Sequence, residues 1–413
     1  MKTKLVMGVL LIGSSLACIG DDYELISFQK TALSDLFYAE GATFGDLNGD
    51  GVMDLIAGPF WYEGPTYESV REIYQPKPFD PAGYSDNFFA FVYDFNKDSR
   101  MDILVIGFPG QTATWYANPG PEGGHWPAHV VFNTVDNESP AWTDLTGDGR
   151  PEIVCIANGR YGYVEPDWSD PAQPWTFHPI TSDEGWQRFT HGLGVGDVNG
   201  DGRLDLLERD GWWEHPESLD GDPVWTRHTV PFSEGGGAQM YAYDVDGDGD
   251  NDVITSLKAH DHGLAWFEHV AKDGRIEFVR HMIMNEHPEE NRYGIAFGEL
   301  HALDLVDMDG DGLKDIVTGK RWWSHGAEGD PDVNPKPYLY WFRLVRTAEG
   351  IDFAPHLIDD DTGIGVQVVA GDINGDSYPD VVVSNKKGTA VLLQQRKKVS
   401  EAEWRKAQPQ PRE

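Results

Sequence analysis

Two sets of residues in this sequence have the types and spacing to hold cations, and one of the two could do catalysis. His191 and His301 each stand six residues before the first Asp of a repeated acidic loop, where the other copies carry Glu40, Phe88, Glu138, Ala238 and Val366. His260 and His262 lie in the stretch from Lys258 to Gly263. His191 and His301, joined by His260 or His262, would offer three imidazoles to Zn²⁺ or a similar divalent ion, with a water completing the shell. Such an ion would polarise a carbonyl or carboxylate and acidify the neighbouring C–H. A nearby His or Tyr293 could take that proton, while Arg188, Arg292, Lys258 and Lys320 could pair with the carboxylate or enolate. Trp186, Gln239, Glu299, Gln367 and Arg321 complete the expected substrate contacts. The combination fits β-elimination on a sugar, either a keto-sugar or a uronate polymer.

The second set is a nine-residue pattern, Asp-x-(Asn/Asp/Thr)-(Gly/Lys)-Asp-(Gly/Ser)-x-x-(Asp/Glu). Its seven copies begin at Asp46, Asp94, Asp144, Asp197, Asp244, Asp307 and Asp372. Oxygen ligands at positions one, three, five and nine, with a backbone carbonyl at seven, suit Ca²⁺. The expected side-chain ligands are Asp46, Asn48, Asp50 and Asp54, then Asp94, Asn96, Asp98 and Asp102, then Asp144, Asp148 and Glu152. The fourth and fifth loops add Asp197, Asn199, Asp201 and Asp205, then Asp244, Asp246, Asp248 and Asp252. The last two supply Asp307, Asp309, Asp311 and Asp315, then Asp372, Asn374, Asp376 and Asp380. Copies two, three and seven depart from the pattern at Lys97 and Ser99, at Thr146 and Glu152, and at Ser377.

What must position these residues is a repeat. Successive copies are 48, 50, 53, 47, 63 and 65 residues apart. Each follows a short apolar or small-residue stretch and precedes a β-branched run such as Asp252-Val253-Ile254-Thr255. A third strand rich in aromatics comes next, as in Trp61-Tyr62, Trp212-Trp213, Trp266-Phe267 and Trp322-Trp323. A fourth often carries a central His: His178, His228, His281 and His356 recur at one blade position and read as packing residues. Four strands per repeat predict an all-β, seven-bladed propeller with calcium loops between strands one and two of each blade. The run from Thr389 to Leu393 reads as a third strand only, so the N-terminal run from Tyr23 to Phe28 would close the ring. The loops then share one face, and the histidines that break the repeat share the other. Breaks in a repeat are where such proteins carry function.

Gly45-Asp46-Leu47-Asn48-Gly49-Asp50-Gly51 through Ala57-Gly58-Pro59, repeated at Gly371 to Asp376, resembles the FG-GAP/VCBS repeat signature. That resemblance implies one four-stranded blade per repeat and calcium in the loop between strands one and two. The stretches from His191 to Asp197 and from Lys258 to Gly263 are similar to the propeller domain of the aldos-2-ulose dehydratase family. This implies dehydration of an oxidised sugar at a propeller site with a bound metal.

The chain has 413 residues, with 32 Lys and Arg against 69 Asp and Glu, so its formal charge is −37. Nucleic acid and anionic membrane surfaces, which need a positive footprint, are excluded as generic partners. Seven divalent ions would cancel 14 of those charges, so structural metal accounts for much of the acidity. Residues 1–20 read as a secretory signal, with Lys2 and Lys4 before an apolar run ending at Ala17, and Cys18 is a candidate for lipid anchoring. This predicts an exported protein, periplasmic, outer-membrane-anchored or extracellular, with no transmembrane span. The propeller is expected over residues 21–396, with a charged and frayed tail over 397–413. Carbohydrate is the expected ligand. The competing reading is a non-catalytic binder of glycans or proteins.

Overall fold

The computed structural model describes residues 23–272, 274–326, 329–332 and 336–412. The expected secretory signal and Cys18 lie outside them. The chain is an all-β propeller built from antiparallel four-strand meanders, such as Ala42–Gly45, Asp54–Ala57, Phe60–Glu63 and Ser69–Glu72. Its core lies between neighbouring sheets. Phe95, Leu104 and Trp115, for example, pack against Ile153, Cys155 and Trp175 of the following repeat. Cys155 is a free, buried thiol.

The expectation of seven separate blades is corrected to five separate four-stranded blades. The fourth and fifth repeats share one eight-stranded sheet, because Leu193–Gly196 pairs in parallel with Gln239–Tyr243 through Leu193↔Gln239 and Gly194↔Met240. Glycine makes that approach possible, since a Cβ on Gly194 would stand 2.0 Å from the Met240 carbonyl oxygen. The terminal sheet joins the two ends of the chain: Tyr23–Ser34 pairs along its length with Gly388–Val399.

Two other expectations change. Residues 397–412 are ordered. The strand continues to Val399, and a helix follows over Glu401–Ala407, capped by Ser400, with Trp404 packed 5.4 Å from Tyr23. Trp322 and Trp323 are not a third strand either. They open a loop, and the third strand of that sheet is Leu339–Thr347, with Trp341 in the aromatic position. The Gly-, Pro- and Asp-rich run after Trp323 cannot extend a ladder. The fourth-strand histidines do pack: His178, His228, His281 and His356 stack on Tyr163, Trp212, Trp266 and Trp341 with ring centroids 4.0 to 4.9 Å apart. Among the described residues no helix is long and apolar enough to cross a membrane.

Each acidic loop is closed by its own side chains. Asp46 Oδ1 accepts from the Gly49 and Asp50 amides, and Asp46 Oδ2 from Gly51. The position-nine carboxylates are buried and opened toward backbone. Asp205, for instance, takes the Val198 amide on one oxygen and the His215 amide on the other. The same residue starts strand two and ties it to loop and third strand. Carboxylate oxygens gather within 4.8 Å of one another at Asp144, Asp148 and Glu152, at Asp244, Asp246 and Asp248, and at Asp307, Asp309 and Asp311.

Candidate functional site

On the face opposite the acidic loops, His191 precedes the strand Leu193–Gly196 and His301 precedes Leu303–Val306, while His260 sits in the turn after Asp252–Ser256. The three imidazoles meet. Their ring centroids are 4.3 to 5.4 Å apart with edge-on planes, and one nitrogen of each lies within 4.8 Å of the other two. His191 is 9% and His301 2% exposed, and neither Nε2 has a hydrogen-bond partner among the described residues. Glu138 Oε2 lies 3.4 Å from His191 Nε2. Ser324 Oγ stands 3.3 Å from His301 Nδ1 and orients that ring. Burial, and after it Arg321 and the two neighbouring rings, pushes His301 well below the ordinary imidazole range. Burial lowers His260 as well, against the pull of Asp330.

A histidine the sequence reading missed completes the group. His325 lies 4.4 Å from His260, ring to ring, and is half exposed. Its Nδ1 is 2.7 Å from Asp330 Oδ1, and its amide donates to Asp330 Oδ2. Asp330 also lies 3.5 Å from His260 Nδ1, so one carboxylate orients both rings. Burial alone would raise Asp330, but its contacts with His260 and His325 hold it well below the usual carboxylate range. The signal was available: His325 follows Lys320 and Arg321 in the same irregular loop, but counting Trp322-Trp323 as a strand hid it inside a blade.

Around the imidazoles the charges are paired in depth. Arg321 is buried 3.2 Å from Glu40 and 3.6 Å from Glu138, and Lys320 is buried 2.9 Å from Glu299 and 2.7 Å from Asp332. Burial raises Glu138, yet His191, Arg321 and His260 outweigh it and hold the carboxyl down at about 2. Glu299 keeps a left-handed backbone at φ 59°, a strained setting for a buried non-glycine residue. Lys386 is buried with its Nζ 3.3 Å from the Ser324 carbonyl oxygen and 4.5 Å from the centre of the Tyr84 ring. Burial, and Arg321 beside it, lower its pKa.

The other expected residues are placed elsewhere. His262 is not in the group: Asp261 takes both its amide and its Nδ1, which turns the ring away. Lys258 pairs with Asp261 as well, at 3.3 Å. Tyr293 and Arg292 are held by Asp352, 2.5 and 3.4 Å away, on the outer strand Gly350–Asp359. Gln239 and Gln367 both bond to backbone and line a central cavity. Gln239 accepts from the Leu303 amide and donates to the Val366 carbonyl, and Gln367 does both with Ala90. Glu299, Lys320 and Arg321 are consumed in buried pairs. Trp186 and Arg188 line a separate cavity beside His191.

Comparison with known proteins agrees on the repeat. The FG-GAP-like repeat pattern matches residues 94–155 and 307–383, so the chain carries FG-GAP-like repeats on a propeller. No curated protein matches it. Among solved structures, a chain of the complex of BBS1N with ARL6DN matches at 11% identity and TM-score 0.50, covering 90% of this chain and 96% of that one. An Agrocybe aegerita lectin that recognises non-reducing terminal N-acetylglucosamine matches at 16% identity and TM-score 0.48, covering 86% and 84%. The rhamnogalacturonan lyase YesW matches at 12% identity and TM-score 0.43, covering 89% and 72%. At these identities no activity passes from them to this chain.

Proposed function

We propose that this chain is an exported, metal-dependent carbohydrate lyase or dehydratase on a propeller stapled by calcium. One observation carries the reading: three imidazoles from separate repeats converge, and two of them bury an Nε2 that makes no hydrogen bond. Donors bound at about 2.1 Å in a tetrahedron stand about 3.4 Å apart, so nitrogens within 4.8 Å fit a Zn²⁺-like ion after a small contraction. His191, His260 and His301 would hold the ion, which would supply Lewis-acid polarisation of a sugar carbonyl or carboxylate. The chain's own residues do the rest. His325, fixed by Asp330 and open to solvent, would take the proton from the adjacent carbon. That C–H pair forms the new C=C as the C–O bond at the next carbon breaks, and His325 returns the proton to the departing oxygen. The buried Lys386 would favour the negative charge that builds on the enolate oxygen. The likeness to aldos-2-ulose dehydratase rests on the His191 and Lys258 stretches alone.

Calcium at the acidic loops belongs to the same proposal. The three carboxylate clusters fit a hard cation. In the Asp307 loop Arg343 already stands 2.5 Å from Asp309 and 3.0 Å from Asp311, so part of that charge is met internally.

The test has two arms. After mild chelation has stripped calcium, the purified chain is expected to keep about one transition ion, because imidazole prefers such ions to calcium. His191→Ala and His301→Ala should release it without unfolding the chain, and retention in both rejects the ligand assignment. Incubation with keto-sugars and uronate polymers should produce ultraviolet absorbance from a new conjugated double bond. A chain that holds no ion and yields no such product is the non-catalytic binder instead.

A further inference from the structure

A sugar can reach the imidazoles free or as part of a chain. Beside the imidazoles is a cavity of about 560 Å³ whose walls include Trp186, Arg188, Phe189, Arg209, Asp210 and Arg227. It adjoins the imidazole group along the chain. Residues 184–190 form one wall and His191 follows directly, while the Arg209 side chain lies 3.6 Å from where a Cβ on Gly192 would stand.

We propose that this cavity is a subsite for a neutral glycosyl unit, so that the substrate is an oligo- or polysaccharide. The inference rests on the carbohydrate reading above. The charge pattern carries it first. Arg188 lies 3.7 Å from Asp136, Arg209 3.2 Å from Asp210, and Arg227 2.9 Å from the buried Glu208 and 3.5 Å from Glu184. Every guanidinium has a carboxylate, so the cavity has no surplus positive charge to draw in an anion. What it presents is fixed donors alternating with fixed acceptors, and sugar hydroxyls are both.

The aromatic surface points the same way. Trp186 stands edge-on against Tyr161 at 4.8 Å, with the Arg209 and Arg227 guanidinium groups 5.5 and 5.9 Å from its centre, so its ring is held in place. Phe189 is 46% exposed at φ 68°, a backbone setting that a bulky side chain takes only under strain. An aromatic ring held in solvent at such a cost is a surface on which the C–H face of a sugar can pack. From Phe189 the rings continue to Phe108 at 5.5 Å and on to Tyr84 at 5.1 Å, and Tyr84 lies 5.9 Å from Arg321. This strip leads from the cavity to the charged groups around the imidazoles. A monosaccharide has no use for it, whereas a glycan chain can lie along it.

Calorimetric titration of the full chain with glucan, xylan, mannan and galactan ladders of increasing length, alongside oligogalacturonate, tests the proposal. For at least one neutral ladder, affinity should rise about tenfold between the monosaccharide and the trisaccharide. Phe189→Ala, at an exposed position, and Arg209→Gln should each remove most of that gain, while Val279→Ala, exposed on a strand away from both sites, leaves it within about twofold. No binding, binding independent of length, binding of oligogalacturonate alone, or binding indifferent to both cavity variants overturns it. The two readings fail separately. Length-dependent binding by a chain that holds no transition ion rejects the elimination and keeps the subsite. Turnover with an ion present and no dependence on length rejects the subsite alone.

Discussion

Replacing Arg321 with Met should cost more stability than any change to an exposed charge in this protein. The guanidinium is 2% exposed, 3.2 Å from Glu40 and 3.6 Å from Glu138, and both carboxylates are themselves buried. Met fills the same length of space without the charge, so packing is largely kept and two acids lose their cation. Removing one partner of a buried pair costs about 3–5 kcal/mol. Glu138 gives a partial check on scale. Its pKa of about 2 against the ordinary 4.5 corresponds to roughly 3 kcal/mol, the net left after burial has opposed the pull of His191, Arg321 and His260. Glu40 has no hydrogen bond from another side chain among the described residues to soften the loss. The sign with pH follows. A carboxyl whose folded pKa lies below its unfolded value stabilises fully above about 4.5, and that contribution fades as pH falls through about 2. In Arg321→Met the folded pKa rises, so the deficit of the variant should be largest near neutrality and shrink toward about pH 4. Urea unfolding followed by tryptophan fluorescence, at saturating calcium, measures both. The double variant Glu40→Gln, Arg321→Met should recover about 2 kcal/mol of the loss, because no unpaired charge then stays at position 40. A deficit below about 1 kcal/mol, or a double variant no better than the single, would refute the argument.

Three further outcomes follow from the geometry. Gly194→Ala should destabilise by about 2 kcal/mol or more, since its Cβ would overlap the Met240 carbonyl at 2.0 Å, and an unchanged urea midpoint would deny the close approach of the two joined repeats. With calcium chelated, stability should fall as pH rises from about 4 to about 8, because burial raises Asp102, Asp252 and Asp380 to about 6, Glu152 and Asp205 to about 7, and Asp315 to about 8, so the folded state holds protons the unfolded state has lost. Bound calcium favours the ionised form and should abolish that slope, and thermal melts across the range that fall alike with and without the ion would contradict it. Asp330→Asn should weaken retention of the transition ion about 10- to 100-fold in competition with a chelator, because Asp330 orients His260, and unaltered retention would remove Asp330 from the site.

Much of the scaffold was legible because one residue does two jobs. The position-nine carboxylates, from Asp54 to Asp380, end the acidic loops and begin the second strands, so the loop spacing fixed seven strand starts to the residue. The blade count failed where pairing left the chain's own order. A parallel contact between Leu193–Gly196 and Gln239–Tyr243 depends on how closely two backbones approach, and no hydrophobic period encodes that. Trp322-Trp323 failed for a related reason, since an aromatic pair after a strand-two run looks the same in a loop as in a ladder.

The site was legible only to the extent that it interrupts a repeat. His191 and His301 stood out because their positions could be compared across seven copies, and both belong to the group that forms. His260 and His262, two residues apart, could not be separated that way, because the choice is made by Asp261, which captures one ring and leaves the other to the centre. The cations were misread for an electrostatic reason. In a chain of charge −37, the apparent surplus of Lys and Arg at this face suggested groups reserved for a substrate. Arg321 and Lys320 instead pair with four acids, Glu40, Glu138, Glu299 and Asp332, and offset half of their charge. Without them those carboxylates would crowd the imidazoles and favour protonated rings over rings able to bind an ion. Their contribution to the proposed chemistry is therefore made at one remove, and the groups that would meet a substrate directly are His325 and the aromatic strip from Phe189 to Tyr84.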